Sequence, residues 1–267
     1  MKTFLRYALS YFVPVGAVLA AWEVVSRTSP KNAFMFSSPL RVIALFIKDI
    51  GNGSFLRDFV VTFWEASAGL LLGILCGVVI GLVLLCFRRL GKVAGRYLVL
   101  LSSVPIFAIA PMMIVWFGVG FPMKVATVFF SVVFVVICQT YEGGLQVTDA
   151  QARFFKSNNA SKMDALLKLH FPAAMMWIIQ SLKISTNLAV LGAFIGEFIA
   201  SEEGLGHRVI KSSSLYDVDS VLVGIVGMVL IIVAFSVFVY VVERNKIAVV
   251  RFFSLVRMRD GISHESR

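Results

Sequence analysis

Charge is what this sequence has least of. Only 15% of its 267 residues are Asp, Glu, Lys or Arg, whereas 59% are hydrophobic. Soluble domains carry about 25% charged residues, so a water-exposed globular fold is excluded. Acidic residues are the scarcer sign: 15 Asp and Glu face 25 Lys and Arg, a net charge of +10. The basic residues sit between and after apolar runs, which makes membrane topology, not a nucleic-acid partner, the reason for the excess. Cysteine is nearly absent. Cys76, Cys86 and Cys138 form an odd, widely spaced set inside or at the edge of apolar runs, which argues against a disulfide framework or a zinc site. His170 and His207 lie far apart without ligand companions at metal-site spacing, so no metal centre is expected. No nucleophile–base arrangement emerges, so no catalytic residue is assigned. No G-x-x-x-x-G-K-[ST] phosphate loop occurs anywhere. A chain without one that is driven by ATP must borrow its ATPase.

What the sequence does have is long apolar runs. A bilayer core about 30 Å thick takes about 20 helical residues, and six runs meet that length, at 8–26, 59–87, 97–118, 122–141, 173–200 and 218–242. The expected fold is therefore all-α, a single polytopic domain over 1–267. The first run is longer than a signal peptide's apolar core and reads as a retained span. The second is long enough to tilt or to project beyond the bilayer. Between them, Val42, Leu45, Phe46 and Asp49 fall at helical spacing on a mildly amphipathic surface segment. An even number of spans puts both termini on one side. The N-terminus, the 88–96 loop, the 142–172 loop and the tail at 243–267 carry sixteen Lys and Arg, against eight on the other side. That bias places both termini and the 142–172 loop in the cytoplasm.

Gly69, Gly73, Gly77 and Gly81 recur every four residues and make a flat stripe where another helix can approach closely. Packing within the chain and contact with a second copy both fit it. In "SSVPIFAIAP", Pro105 and Pro111 tend to kink the third span, and Ser103 and Pro105 become candidates for lining a path. Gln180, Lys183 and Asn187 form a polar stripe on the fifth span. Ionisable groups at membrane depth suggest function, and Lys183 would suit an anionic solute; alternatively it snorkels to the cytoplasmic interface. Glu197 reads as a gate, a dimer contact or a wet surface acid, and Glu65 as the partner of a basic group. No inverted repeat of the secondary-transporter kind is apparent.

The chain interrupts its apolar runs with "EGGLQVTDAQARFFKSNNASKMDALLKLHFP" at 142–172. A helix from Asp149 to about Lys156 is expected, broken by "SNNAS", because Asn tolerates a left-handed backbone. Ser161 and Asp164 resemble a capping box, and Asp164 and Lys168 can pair across one turn. Met163, Leu166, Leu167 and His170 share the opposite face. Pro172 suits the first turn of the next helix. The apolar face of this short helix either rests on its own bundle or docks in the groove of a cytoplasmic partner.

Asp149-Ala150, Ala160-Ser161, Leu166, Leu169 and Phe171-Pro172 match the loop that defines binding-protein-dependent ABC importer permeases, with Asn159 where that family usually has Gly. "SSPLRV" at 37–42, "SVPIFAIAPMMIVWFGVG" at 103–120 and "GEFIASEEGLGHRV" at 196–209 resemble its aliphatic sulfonate, taurine, nitrate and thiamine-precursor subgroup. The resemblance implies a permease homodimer in the bacterial inner membrane, a cytoplasmic ATPase dimer that uses ATP and Mg, and a periplasmic or lipid-anchored solute-binding protein. It makes residues 161–171 the coupling helix, with Asn159, Ala160, Ser161, Asp164, Leu167, His170 and Pro172 serving ATPase coupling. The solute would be small and anionic or pyrimidine-like. An ion-coupled secondary transporter is the alternative, and an intramembrane enzyme a more distant one.

Overall fold

In this computed structural model the described backbone covers residues 2–159 and 161–262, and the described side chains cover 13–87, 89–155, 157–159 and 161–244. Every regular element among them is helical. Helix α1 (Lys2–Arg27) leads through α2 (Pro30–Phe36) and α3 (Pro39–Gly51) to α4 (Ser54–Cys86). The two short helices start where Ser-Pro pairs dictate. The Ser29 and Ser38 hydroxyls accept from the backbone N–H groups of Asn32 and Arg41, while Pro30 and Pro39 occupy positions where a missing N–H is harmless. As the heptad spacing requires, Val42 and Asp49 face inward on α3.

Helix α4 has 33 residues, roughly 50 Å at 1.5 Å per residue, more than a bilayer core. Next come α5 (Arg88–Ser102), α6 (Ile106–Phe117) and α7 (Phe121–Gly144). The span expected at 97–118, with kinks at its prolines, is sharply broken: α5 and α6 meet at 95°. The reason is local. Pro105 lacks the N–H a helix needs and disfavours helical backbone at the residue before it. It therefore stands as the extended N-cap of α6, whereas Pro111 lies within α6 without ending it.

After α8 (Asp149–Ser157) and α9 (Lys162–Ala165), a π turn (Leu166–His170) runs directly into α10 (Phe171–Ala200). The chain closes with α11 (Leu205–Ser214) and α12 (Val218–Ile262). α12 runs on past the expected end of the last span, so the backbone of the segment expected as a basic tail is helical as far as Ile262. Four helices among the described residues are long and apolar enough to cross a membrane, five if the bent pair counts as one. The first expected span lies in α1, part of whose side chains fall outside the described residues.

α7 is the axis of the bundle, packed lengthwise between α4 and α10. The glycine stripe explains how. Gly69, Gly73, Gly77 and Gly81 face Val128, Val132, Val136 and Thr140 in register, and a Cβ at Gly77 would lie 2.6 Å from that of Val136. The stripe is thus used within the chain. The main core joins Ala66, Val128, Val132 and Val136 to Ala189, Val190 and Ala193 of α10 and to Val223, Ile231 and Phe235 of α12.

Candidate functional site: the two ends of helix α10

α10 carries different chemistry at its two ends. At its start, Asn159 adopts φ 51°, the left-handed turn the sequence anticipates. Ala160 lies outside the described residues. Ser161 then caps α9: its hydroxyl accepts from the Asp164 N–H at 3.0 Å and donates to the Asp164 carboxylate at 2.5 Å. This is a variant of the expected box, in which the acidic side chain meets the cap hydroxyl and not its backbone N–H. Lys168 Nζ reaches Asp164 Oδ1 at 2.8 Å.

The expected four-residue apolar face does not survive intact. The π turn admits an extra residue and so rotates the helix beyond it. Leu169, not His170, becomes buried. Leu166 packs against the apolar cluster of Leu84, Leu85, Leu98, Val133, Ile137 and Tyr141. His170 lies half-buried with Nδ1 2.7 Å from the Gly144 carbonyl, satisfying one of the open acceptors at the end of α7. Met163 and Leu167 point away from the bundle, 61% and 55% exposed. Phe154 on α8 is 62% exposed and joins them as an apolar residue that periodicity did not single out; the pair "RFF" in an otherwise polar loop was its only trace. Asn159, Ser161 and Pro172 are also exposed. The loop therefore both rests on its own bundle and presents apolar side chains outward.

Midway along α10, Gln180, Lys183 and Asn187 form an exposed stripe with Ile184 and Leu191. Lys183 is not a free cation, because its Nζ lies 2.8 Å from Glu243 Oε2 on α12. Ser103 and Pro105 line a cleft of about 290 Å³ between the α5–α6 bend and α7 and α10, whose far wall includes Leu188 and Leu191. Ser103 and Pro105 are thus brought together at this cleft, whereas Gln180, Lys183 and Asn187 are not among the residues that line it.

At the other end of α10, Glu197 is 1% exposed, which overturns its reading as a wet acid or an outward-facing contact. Its carboxylate accepts from the Thr62 hydroxyl at 2.6 Å and from the Gly206 N–H at 2.5 Å. Gly204, with φ 109°, passes so close to this carboxylate that a side chain there would collide with it. Glu65 has the basic partner expected of it: Lys124 Nζ lies 2.5 Å from Glu65 Oε1, both side chains buried. Gly196 permits this by packing against the Lys124 backbone. Nearby, Arg208 binds Asp49 and approaches Asp58 at 3.7 Å, fastening α11 to α3 and α4. His207 is a half-exposed residue of α11.

A bundle of bilayer-length helices, glycine-zipped along one seam and interrupted by a capped loop with outward apolar side chains, has the build of a membrane-embedded subunit. The match to known proteins makes the class specific. Residues 69–247 match the family described as binding-protein-dependent transport system inner membrane component, and the chain belongs to that family. It is 31% identical to a probable ABC transporter permease protein of Haemophilus influenzae, over 85% of this chain and 90% of the relative. It is 27% identical to the formylaminopyrimidine transport permease protein ThiX of Halalkalibacterium halodurans, covering 71% and 75% of the two chains. Likeness to the putative aliphatic sulfonates transport permease protein SsuC of Bacillus subtilis is 24%, covering 85% and 83%. Among solved structures, a chain of the MetNI methionine ABC transporter in an inward-facing conformation shares the fold, with a TM-score of 0.58 at 14% identity over 71% of this chain and 96% of that one. The chain is accordingly a permease subunit of an ABC transporter, a transport component and not an enzyme, and its family implies an ATPase and a solute-binding protein as partners.

Proposed function

We propose that two copies of this chain form the translocation path of an importer in the bacterial cytoplasmic membrane, each crossing it six times with both termini inside. The count takes α1, α4, the bent α5–α6 pair, α7, α10 and α12 as crossings. A cytoplasmic ATPase dimer, which binds ATP and Mg, grips the loop around α9, and a binding protein delivers solute to the opposite face. The observation that carries this reading is the outward pair Met163 and Leu167 on a helix whose other apolar residues are already seated on the bundle. Exposed apolar side chains on a rigid, capped helix fit a partner's groove, and the helix is continuous with α10, so a push on it is transmitted along the path-facing stripe. Each nucleotide state of the ATPase then favours one arrangement of the permease.

The solute is a small anion of the sulfonate, taurine or nitrate type, or a thiamine-precursor-like pyrimidine. The formylaminopyrimidine and aliphatic sulfonates in the relatives' names support the pyrimidine and sulfonate parts of this range. Lys183 supports the anion less than its position in the sequence suggests, because Glu243 already offsets its charge.

Reconstitution tests the proposal. The chain in proteoliposomes with its ATPase and binding protein should take up solute only when ATP is supplied on the ATPase side. Uptake driven by an ion gradient without the ATPase would establish the secondary-transporter alternative.

A further inference from the structure

The acid pair at the far end of α10 has one polar atom without a donor. Glu65 is 2% exposed. Its Oε1 is held by Lys124, but its Oε2 is buried and has no hydrogen-bond partner among the described residues. Beside it stands the other acid: Thr62, one turn before Glu65 on α4, donates to Glu197 Oε1, and Lys124, which binds Glu65, packs against Gly196 next to Glu197. Carboxylates have no proton to donate, so a bond between two of them requires that one be protonated. Charge gives the same answer. Two ionised carboxylates and one ammonium would leave a net negative charge in a buried site, which is strongly unfavourable. With one proton the site is neutral. Glu197 is the natural carrier, because its remaining contacts are neutral donors, the Thr62 hydroxyl and the Gly206 N–H, whereas Glu65 has the ammonium of Lys124.

We propose that Glu65 and Glu197 form a proton-binding site that shares a single proton and latches the 201–206 turn against α4 and α10. The site is not sealed. Glu65 and Lys124 border a cleft of about 650 Å³ that also includes Ser201, Glu202 and Glu203, which gives the proton a route to water. The remaining charges around it are largely paired. On α4, Arg57 binds Glu203, and Asp58 receives the Gly204 N–H and faces Arg208. On α11, Arg208 also binds Asp49 of α3, and His207 lies near Asp58. Glu202 faces the cleft. None of these contacts supplies a donor to Glu65 Oε2, which a proton on Glu197 would. Removing it sets two carboxylates against each other, and the Gly204–Gly206 backbone that leans on Glu197 loses its seat. Raising the pH on this face should therefore release the turn, and lowering it should restore the latch. The latch lies in a different part of the chain from the coupling loop and does not depend on the importer reading.

Infrared spectroscopy reads the proton directly. The full chain, assembled with its ATPase in an ester-free detergent, should show a protonated-carboxyl band at neutral pH that shifts on 13C-glutamate labelling and disappears reversibly at alkaline pH. Glu197→Gln should lack the band while keeping the fold, because an amide can donate to Glu65 and still accept from Gly206. Its melting temperature should then lack the alkaline decline expected of the unaltered chain. Absence of any glutamate-dependent protonated-carboxyl band in the unaltered chain would overturn the proposal, whatever the variant does. So would a band that persists undiminished in a folded Glu197→Gln protein.

Discussion

The two ends of α10 solve opposite problems. At the 197 end every contact is turned inward: Thr62, Gly206, Glu65 and Lys124 enclose one another, and the turn after α10 is built so closely on Glu197 that only glycine fits at 204. At the 171 end the chain does the reverse. It caps a short helix on itself, ties His170 to the end of α7, and leaves Met163 and Leu167 uncovered. Polar groups that bind one another in a largely buried site make a rigid unit. Unsatisfied apolar surface on a rigid helix makes a handle. One helix thus links a self-contained end to an end that is complete only with a partner.

The contrast breaks most visibly at Lys124. Lys124→Met leaves Glu65 buried without its cation, and removing one member of a buried pair costs about 3–5 kcal/mol. Thermal unfolding of the purified chain should record that loss as a clearly lower melting temperature and reduced yield. A variant as stable as the parent would mean that water, not Lys124, compensates Glu65.

The handle end should respond in the other way. Leu167→Asp changes an exposed position, where substitutions usually move stability by less than about 0.5 kcal/mol. Melting temperature and membrane insertion should be unchanged, while ATP hydrolysis no longer drives uptake. Normal coupled uptake by this variant would remove Leu167 from the docking face, and a large drop in stability would show that it belongs to the bundle after all.

These two ends were not equally legible in the sequence. The handle was written locally: the Asn turn, the Ser161 cap, the Asp164–Lys168 pair and Pro172 all lie within fourteen residues, and short-range rules predict each. What local rules missed was the π turn, because inserting one residue into a helical turn leaves no mark on composition but rotates Leu169 inward and His170 onto Gly144. The far end depends on contacts across long separations. Glu197 meets Thr62 from 135 residues away and Lys124 meets Glu65 from 59. Periodicity gives the face of a helix, not its neighbour, so Glu197 read equally well as a gate, a dimer contact or a wet acid. The glycine stripe lies between these cases. Its spacing announced a close helix, and only the structure shows that the helix is α7. Pro105 and Pro111 look alike in sequence, yet one ends a helix and the other does not.

The smallest effect expected, and the one that sharpens the comparison most finely, lies midway between the ends. Lys183 and Glu243 form a partly exposed pair, 44% and 34% accessible, and pairs of that kind contribute about 0–1 kcal/mol. Lys183→Gln should lower the melting temperature only slightly. Its effect on uptake separates two roles. If the pair serves mutual neutralisation, Lys183→Gln removes the ammonium that offsets the Glu243 charge and slows an anionic solute, and adding Glu243→Gln restores the rate. If Lys183 itself meets the solute during the cycle, the double variant stays as slow as the single one. The geometry favours restoration, because the ammonium is already engaged at 2.8 Å and would have to leave Glu243 to contact anything else. ATP-driven uptake by the parent, the two single variants and the double variant, compared in the same vesicles, decides between them.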